Sequence, residues 1–504
     1  MMNKNPLELL RNLLGEVADL ASAIAVLHWD QQTYMPPGGA EERAMSIATL
    51  SRLAHELAIS EEMGAAIEAA KDEVGDLKAP SDEARLVRKA DRDYAKEKKV
   101  PTEWVTDFRR TTALAHKTWA KARQEADFSQ FQSILEKIID LRRQYAEFFT
   151  PFDHPYDPLL DDYEPGMKTS EVKAVFENLR PRQVELVHAI NDVSERVDDS
   201  PVHQTFDVNR QWDFGMEVIQ AFGFDFKRGR QDKTVHPFTT DFGIGDVRIT
   251  TRFDPEFFNT GVFSTLHEAG HGMYGQGLAP SFSRTPLADG ASLSVHESQS
   301  RMWENLVGRG KPFWVTFFPT LKEYFPDQLG DVELEAFYRA INKVEPSFIR
   351  VEADEATYNL HIMLRFEIET GLIEGNIEVA DLPEVWNTKM QEYLGVTPPD
   401  DAQGVLQDVH WSEGLLGYFP TYALGNLIAS QLWEKIEADI PDLTRQIEKA
   451  KFSDLLGWLR ENIHQYGAKF EPTELLQRVI GSGLSAEPYL RYLHTKFGEI
   501  YDLS

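Results

Sequence analysis

The sequence predicts a mainly α-helical protein, one body spanning residues 1–504, with a cleft and a single short strand region. Three observations predict it. Apolar residues recur at helical steps along most of the chain. Strand-like alternation is convincing only near residues 238–252, where Val247, Ile249 and Thr251 alternate with Asp246, Arg248 and Thr250. Connections are short, and no repeat, low-complexity tract or long linker divides the chain.

In order, residues 6–28 read as a helix. Pro6 suits its first turn, and Leu9, Leu10, Leu13, Val17, Leu20, Ile24 and Leu27 follow at helical spacing. Residues 28–39, ending Pro36-Pro37-Gly38-Gly39, read as an irregular segment, a structural elbow or else part of the cleft wall. Residues 40–75 fit one long helix or two, and 81–149 fit a bundle with charged outer faces. Turn signals mark 151–158 and Tyr163-Glu-Pro-Gly166. Helices are expected over 168–196, 208–222, 311–325 and 331–343. A long helix is expected to open at Ile349-Arg-Val-Glu-Ala-Asp354 and run to Leu372. Pro383, Pro398 and Pro399 interrupt, and helix returns over 427–497.

Composition removes several classes of function. The formal charge is -30, from 82 acidic and 52 basic residues. Such a surface disfavours nucleic acid and anionic membranes, because phosphate binding needs local positive charge. With no cysteine, disulfides, thiol catalysis and cysteine-held metals are excluded. The start, from Met1, lacks the continuous apolar run and cleavage site of a secretory leader. No stretch reaches the roughly 18 uncharged apolar residues of a membrane helix. A cytoplasmic protein is expected.

The chemistry centres on Gly261-Val-Phe-Ser-Thr-Leu-His-Glu-Ala-Gly-His-Gly272. His267 and His271 stand one helical turn apart, so both imidazoles point the same way and can grip one zinc ion. Glu268 sits beside the first of them, placed to take a proton from water rather than to bind the metal. Val262, Leu266, Ala269 and Met273 form the apolar stripe, with Thr260 as a candidate cap. A catalytic zinc needs a third protein ligand and an open position. Glu297, in a second block helically spaced with Leu293, Arg301 and Glu304, is the favoured third ligand. His296 is the rival, or else a supporting or substrate-facing group. The strand at 246–252 suggests a surface for an extended peptide, with Asp246 and Arg248 near the site, or a hairpin that merely covers the core.

Several blocks together carry a resemblance: His236-Pro-Phe238, Asp246-Val-Arg-Ile-Thr250, His267-Glu-Ala-Gly-His271, His296-Glu-Ser-Gln299, Ile349-Arg-Val-Glu-Ala-Asp354 and Gly404-Val-Leu-Gln-Asp-Val-His-Trp411. In this order they resemble the thermostable carboxypeptidase Taq family of metallocarboxypeptidases, over essentially the whole chain. The resemblance implies a two-lobed helical fold with a deep active-site cleft and a small sheet beside the metal helix, like angiotensin-converting enzyme and neurolysin. It implies a cytosolic homodimer that removes single C-terminal residues from peptides with broad specificity. One Zn2+ per chain is implied, with Co2+ or Mn2+ as substitutes. It implies His267, His271 and Glu297 as ligands and Glu268 as general base. His410 would stabilise the transition state with Tyr418 or Tyr422, the former slightly favoured. Arg350 would read the substrate's free carboxylate, since a guanidinium fork matches two oxygens. Arg248 and Arg301 compete for that role, and an internal pair of Arg350 with Asp354 is the bland alternative. His236, Asp246, Arg248, Tyr422 and His296 complete the expected substrate-binding set. An endopeptidase of the same fold and a non-catalytic helical interaction protein are the rival functions.

Overall fold

The computed structural model describes residues 5–503, so the reading of Met1-Met-Asn-Lys4 falls outside it. Its order follows from local chemistry. Asn5 accepts hydrogen bonds from the Leu7 and Glu8 amides and starts helix Pro6–Thr33. That helix runs further than the sequence suggested, into the expected elbow. Trp29 is buried on it, and Arg43 from helix Ala40–Ala58 ties down the Leu27 carbonyl and Asp30. The stretch 40–75 is two helices, Ala40–Ala58 and Glu61–Val74, the second capped by the Ser60 hydroxyl. Helices Asp82–Lys99, Thr102–Glu125 and Ser129–Glu147 supply the charged bundle.

Two large apolar cores give the molecule its lobes. One gathers Ile138, Phe176, Leu364, Trp386 and Leu490; the other gathers Phe214, Leu266, Trp303, Trp314 and Phe452. Helix Pro420–Asp439 is the spine between them. Its Ala423, Leu424 and Leu427 enter the first core, and its Ile428, Leu432 and Ile436 enter the second. A smaller core of Leu10, Leu13, Met63, Ile67 and Val87 binds the N-terminal helices together. Among the described residues, no helix is long and apolar enough to cross a membrane.

The sheet has three strands, one more than the hairpin read from sequence: β1 (Gly229–Lys233), β2 (Thr239–Asp241) and β3 (Val247–Thr251). The order is β1-β3-β2, so β3 is central, parallel to β1 and antiparallel to β2. β1, Gly-Arg-Gln-Asp-Lys, has no apolar alternation; its strand form comes from pairing with β3. A second difference lies at Ile349–Asp354. Arg350–Glu352 is a single 3-10 turn, and helix Tyr358–Glu374 starts only after Asp354 has accepted bonds from the Ala356 and Thr357 amides. Asp354 thus ends an extended stretch rather than continuing a helix.

Candidate metal and catalytic site

Helix Phe258–Gly277 carries His267, Glu268 and His271. Its apolar stripe is as expected: Val262, Leu266, Ala269 and Met273 are all fully buried. Its start differs. The helix begins at Phe258, so Thr260 lies inside the first turn and caps nothing. The glycines of this helix set the packing. A Cβ on Gly270 would stand 2.6 Å from the Ser300 Cα, so only glycine lets helix Leu293–Arg301 lie against the turn between the histidines. On the far side of that helix, a Cβ on Gly425 would stand 2.5 Å from Glu297 Cγ. Glu297 is therefore clamped between two helices and aimed at the imidazoles.

The three side chains converge. His267 Nε2 is 3.6 Å and His271 Nε2 3.3 Å from Glu297 Oε2, and three such ligand atoms fall within 4.8 Å of one another. Ligand atoms about 2.0–2.1 Å from a shared tetrahedral centre stand roughly 3.3 Å apart. The remaining polar atoms are engaged elsewhere. His267 Nδ1 pairs with Glu304 at 2.9 Å, and His271 Nδ1 with His296 Nδ1 at 2.5 Å. Glu297 Oε1 accepts from Arg301 Nε at 2.7 Å. Each group thus turns one ligand atom inward, Glu297 Oε2 also accepting from the Ser300 hydroxyl at 3.1 Å, and the donor set fits a divalent ion. Burial opposes the Glu297 charge, but Arg301, His267 and His271 outweigh it and hold the carboxyl below the usual range. Burial pushes the His296 imidazole down to about 3, so it stays neutral beside His271. His296 also walls a cavity of about 180 Å³ with Arg88, Arg92, Tyr163 and Ser292.

Comparison with known proteins decides the family. Residues 9–497 match the family described as Carboxypeptidase Taq (M32) metallopeptidase. The chain belongs to the carboxypeptidase Taq family. Thermostable carboxypeptidase 1 of Thermus thermophilus is 43% identical over 96% of this chain and 97% of its own. Carboxypeptidase 1 of Bacillus subtilis is 38% identical, covering 97% of each. The crystal structure of M32 carboxypeptidase from Deinococcus radiodurans superposes with a TM-score of 0.95 at 41% identity, covering 98% of this chain and 99% of that one. As a carboxypeptidase Taq family member the protein is a metallocarboxypeptidase acting on peptides, and the family implies a divalent metal.

The other expected site residues of this carboxypeptidase divide into two groups. His410, on a 3-10 turn, lies tilted to Tyr418 and edge-on to Tyr422, with ring centres 5.4 and 6.4 Å away. Burial, aided by Arg350 and Arg365 and opposed by Asp408, holds its imidazole down to about 4. Arg350 is buried, and its guanidinium centre lies 5.1 Å from the Tyr422 ring. It does not pair with Asp354. It bonds Asp408 at 2.8 Å and the Tyr358 hydroxyl at 3.0 Å, while Arg365 holds the other oxygen of Asp408. Two guanidiniums therefore share one carboxylate, leaving a positive charge in excess. Arg301 is spent on Glu297 and Glu304.

The sheet-borne residues lie differently from expectation. Val247 and Ile249 face Gly275 and Gly272 of the metal helix, which turns the alternate residue Arg248 to the opposite face. There it pairs with Asp246 and sits 4.2 Å over the Trp29 ring, tying the sheet to the N-terminal helix. Arg248, expected near the site on a substrate-facing strand, is thus on the sheet face away from the metal helix. His236 is exposed in the loop ahead of β2.

Three supports escaped the sequence reading. Thr239 of β2 donates to Glu268 Oε2 at 2.6 Å. Glu164, fully buried in the Tyr-Glu-Pro-Gly turn, accepts from the Ser294 amide and hydroxyl and seats the start of the Glu297 helix. Glu369 accepts from Trp411 Nε1 at 2.8 Å, the Gly417 amide at 3.0 Å and the Tyr156 hydroxyl at 2.5 Å. It thereby staples both ends of the loop that carries His410 and Tyr418. Burial lifts its carboxyl to about 7, against the pull of those three donors. Glu369→Gln turns an acceptor into a donor facing N–H groups. We expect a loss of about 2 kcal/mol of stability and lower kcat with metal content intact. Thermal unfolding, kinetics and metal analysis on one preparation check it.

Proposed function

We propose that His267, His271 and Glu297 hold one Zn2+ ion, with Co2+ or Mn2+ as substitutes, and that Glu268 is the general base. The observation that carries this is the convergence of two imidazole Nε2 atoms and one carboxylate oxygen beside a buried glutamate. The ion would supply Lewis-acid chemistry, lowering the pKa of water towards roughly 7 and polarising the scissile carbonyl. Glu268 takes a proton from the attacking water as its oxygen bonds to the carbonyl carbon. As the C–N bond breaks, Glu268 returns that proton to the leaving amine. His410, neutral and half-buried, and Tyr418 donate hydrogen bonds to the oxygen where charge develops, Tyr422 being the alternative tyrosine. Each such donor is worth on the order of 3 kcal/mol.

Arg350 reads the free C-terminal carboxylate. The shared Asp408 leaves a guanidinium charge uncompensated, and a substrate carboxylate balances it. His296 and the adjoining cavity receive substrate upstream of the scissile bond, and the exposed His236 adds a further substrate contact. The whole chain acts as one catalytic unit, because a single helix feeds both large cores. Its family resemblance supports a cytoplasmic homodimer.

The test uses paired peptides that differ only in C-terminal amidation. We expect the free acids to lose one residue at a time and the amides to resist. Arg350→Ala should raise KM for free acids about 10- to 100-fold, a loss of the size expected for a charge-assisted pair, and erase the distinction. Equal internal cleavage of both peptides by the wild type would mean an endopeptidase instead.

A further inference from the structure

Glu268 is 6% exposed, and among the described residues its carboxylate has one side-chain hydrogen bond, from Thr239. Thr239 stands opposite Ile249 in the antiparallel β2–β3 register, so its side chain shares the face that packs on the metal helix. Its hydroxyl lies 2.6 Å from Oε2 and 3.1 Å from the backbone carbonyl of the same glutamate. One hydroxyl proton serves one acceptor at a time, and the charged, nearer oxygen forms the stronger bond.

We infer that Thr239 is a positioning residue for the reaction. Its hydroxyl occupies Oε2, fixes the plane of the carboxylate and leaves Oε1 as the oxygen that exchanges protons with water and amine. This deepens the proposed role of Glu268 and rests on it. β2 is the short outer strand of the sheet, so the sheet's chemical task is to bring a hydroxyl to the base, besides any covering of the core.

The test compares Thr239→Val, which keeps shape and β-branching, with Thr239→Ser, which keeps the hydroxyl. A misplaced reacting group costs about 10- to 100-fold in rate. We expect Thr239→Val to lose that much in kcat with KM within about twofold, and Thr239→Ser to recover most of it. Metal stoichiometry and thermal unfolding of both holoenzymes should match the wild type. Combined with Glu268→Gln, Thr239→Val should cost nothing further, because the hydroxyl acts through the carboxylate. Wild-type kcat in Thr239→Val overturns the inference. So does loss of metal, a loss that serine does not recover, or a further loss in the double variant. Full turnover in Glu268→Gln alone would instead remove the base assignment on which the inference stands.

Discussion

Glu268→Gln will keep its metal and lose about 10³-fold in kcat with little change in KM. The substitution is nearly isosteric, so the buried pocket around the side chain stays filled. Its amide oxygen still accepts from the Thr239 hydroxyl. What disappears is the ability to carry a proton from water to the leaving amine. Glu268 is not one of the three converging donors, so stoichiometric metal should survive. Retained turnover within tenfold would assign the proton transfer to another group.

Glu297→Ala will do the reverse, releasing the ion and abolishing activity while also loosening the fold. The carboxylate has two jobs. Oε2 faces the imidazoles, and Oε1 holds the largely buried Arg301 guanidinium. Removing it leaves Arg301 with Glu304 alone and opens a gap beside Gly425. Breaking a buried pair typically costs 3–5 kcal/mol, and the retained Glu304 places this case near about 3. Unfolding of the metal-free proteins isolates that cost from the stabilisation an ion adds. A variant that binds metal as tightly as the wild type would remove Glu297 from the ligand set.

Much of this was legible because it is local. The His267–His271 spacing and the buried stripe Val262, Leu266, Ala269 and Met273 are consequences of one helical period. Helix Val208–Phe222 matches its expected span for the same reason. What was not legible depends on contacts between distant segments. β1 has no strand pattern of its own and exists because β3 pairs with it. Arg350 was placed in a helix, yet Asp354 breaks the stretch by capping backbone amides, and the true partner, Asp408, lies 58 residues on. The Asp246–Arg248 pair had the right residue types for a substrate wall, but strand alternation turns Arg248 toward Trp29. Glu164, Thr239 and Glu369 gave no periodic signal, since each acts on a segment far away in sequence.

The most direct test is X-ray absorption spectroscopy at the metal edge of the protein loaded with one equivalent of zinc. We expect two imidazole nitrogens, carboxylate oxygen and at least one solvent oxygen, with distances near 2.0–2.1 Å. The imidazole signal should fall in His267→Ala and His271→Ala. A closed shell of four protein ligands, or no stoichiometric ion at all, would contradict the account.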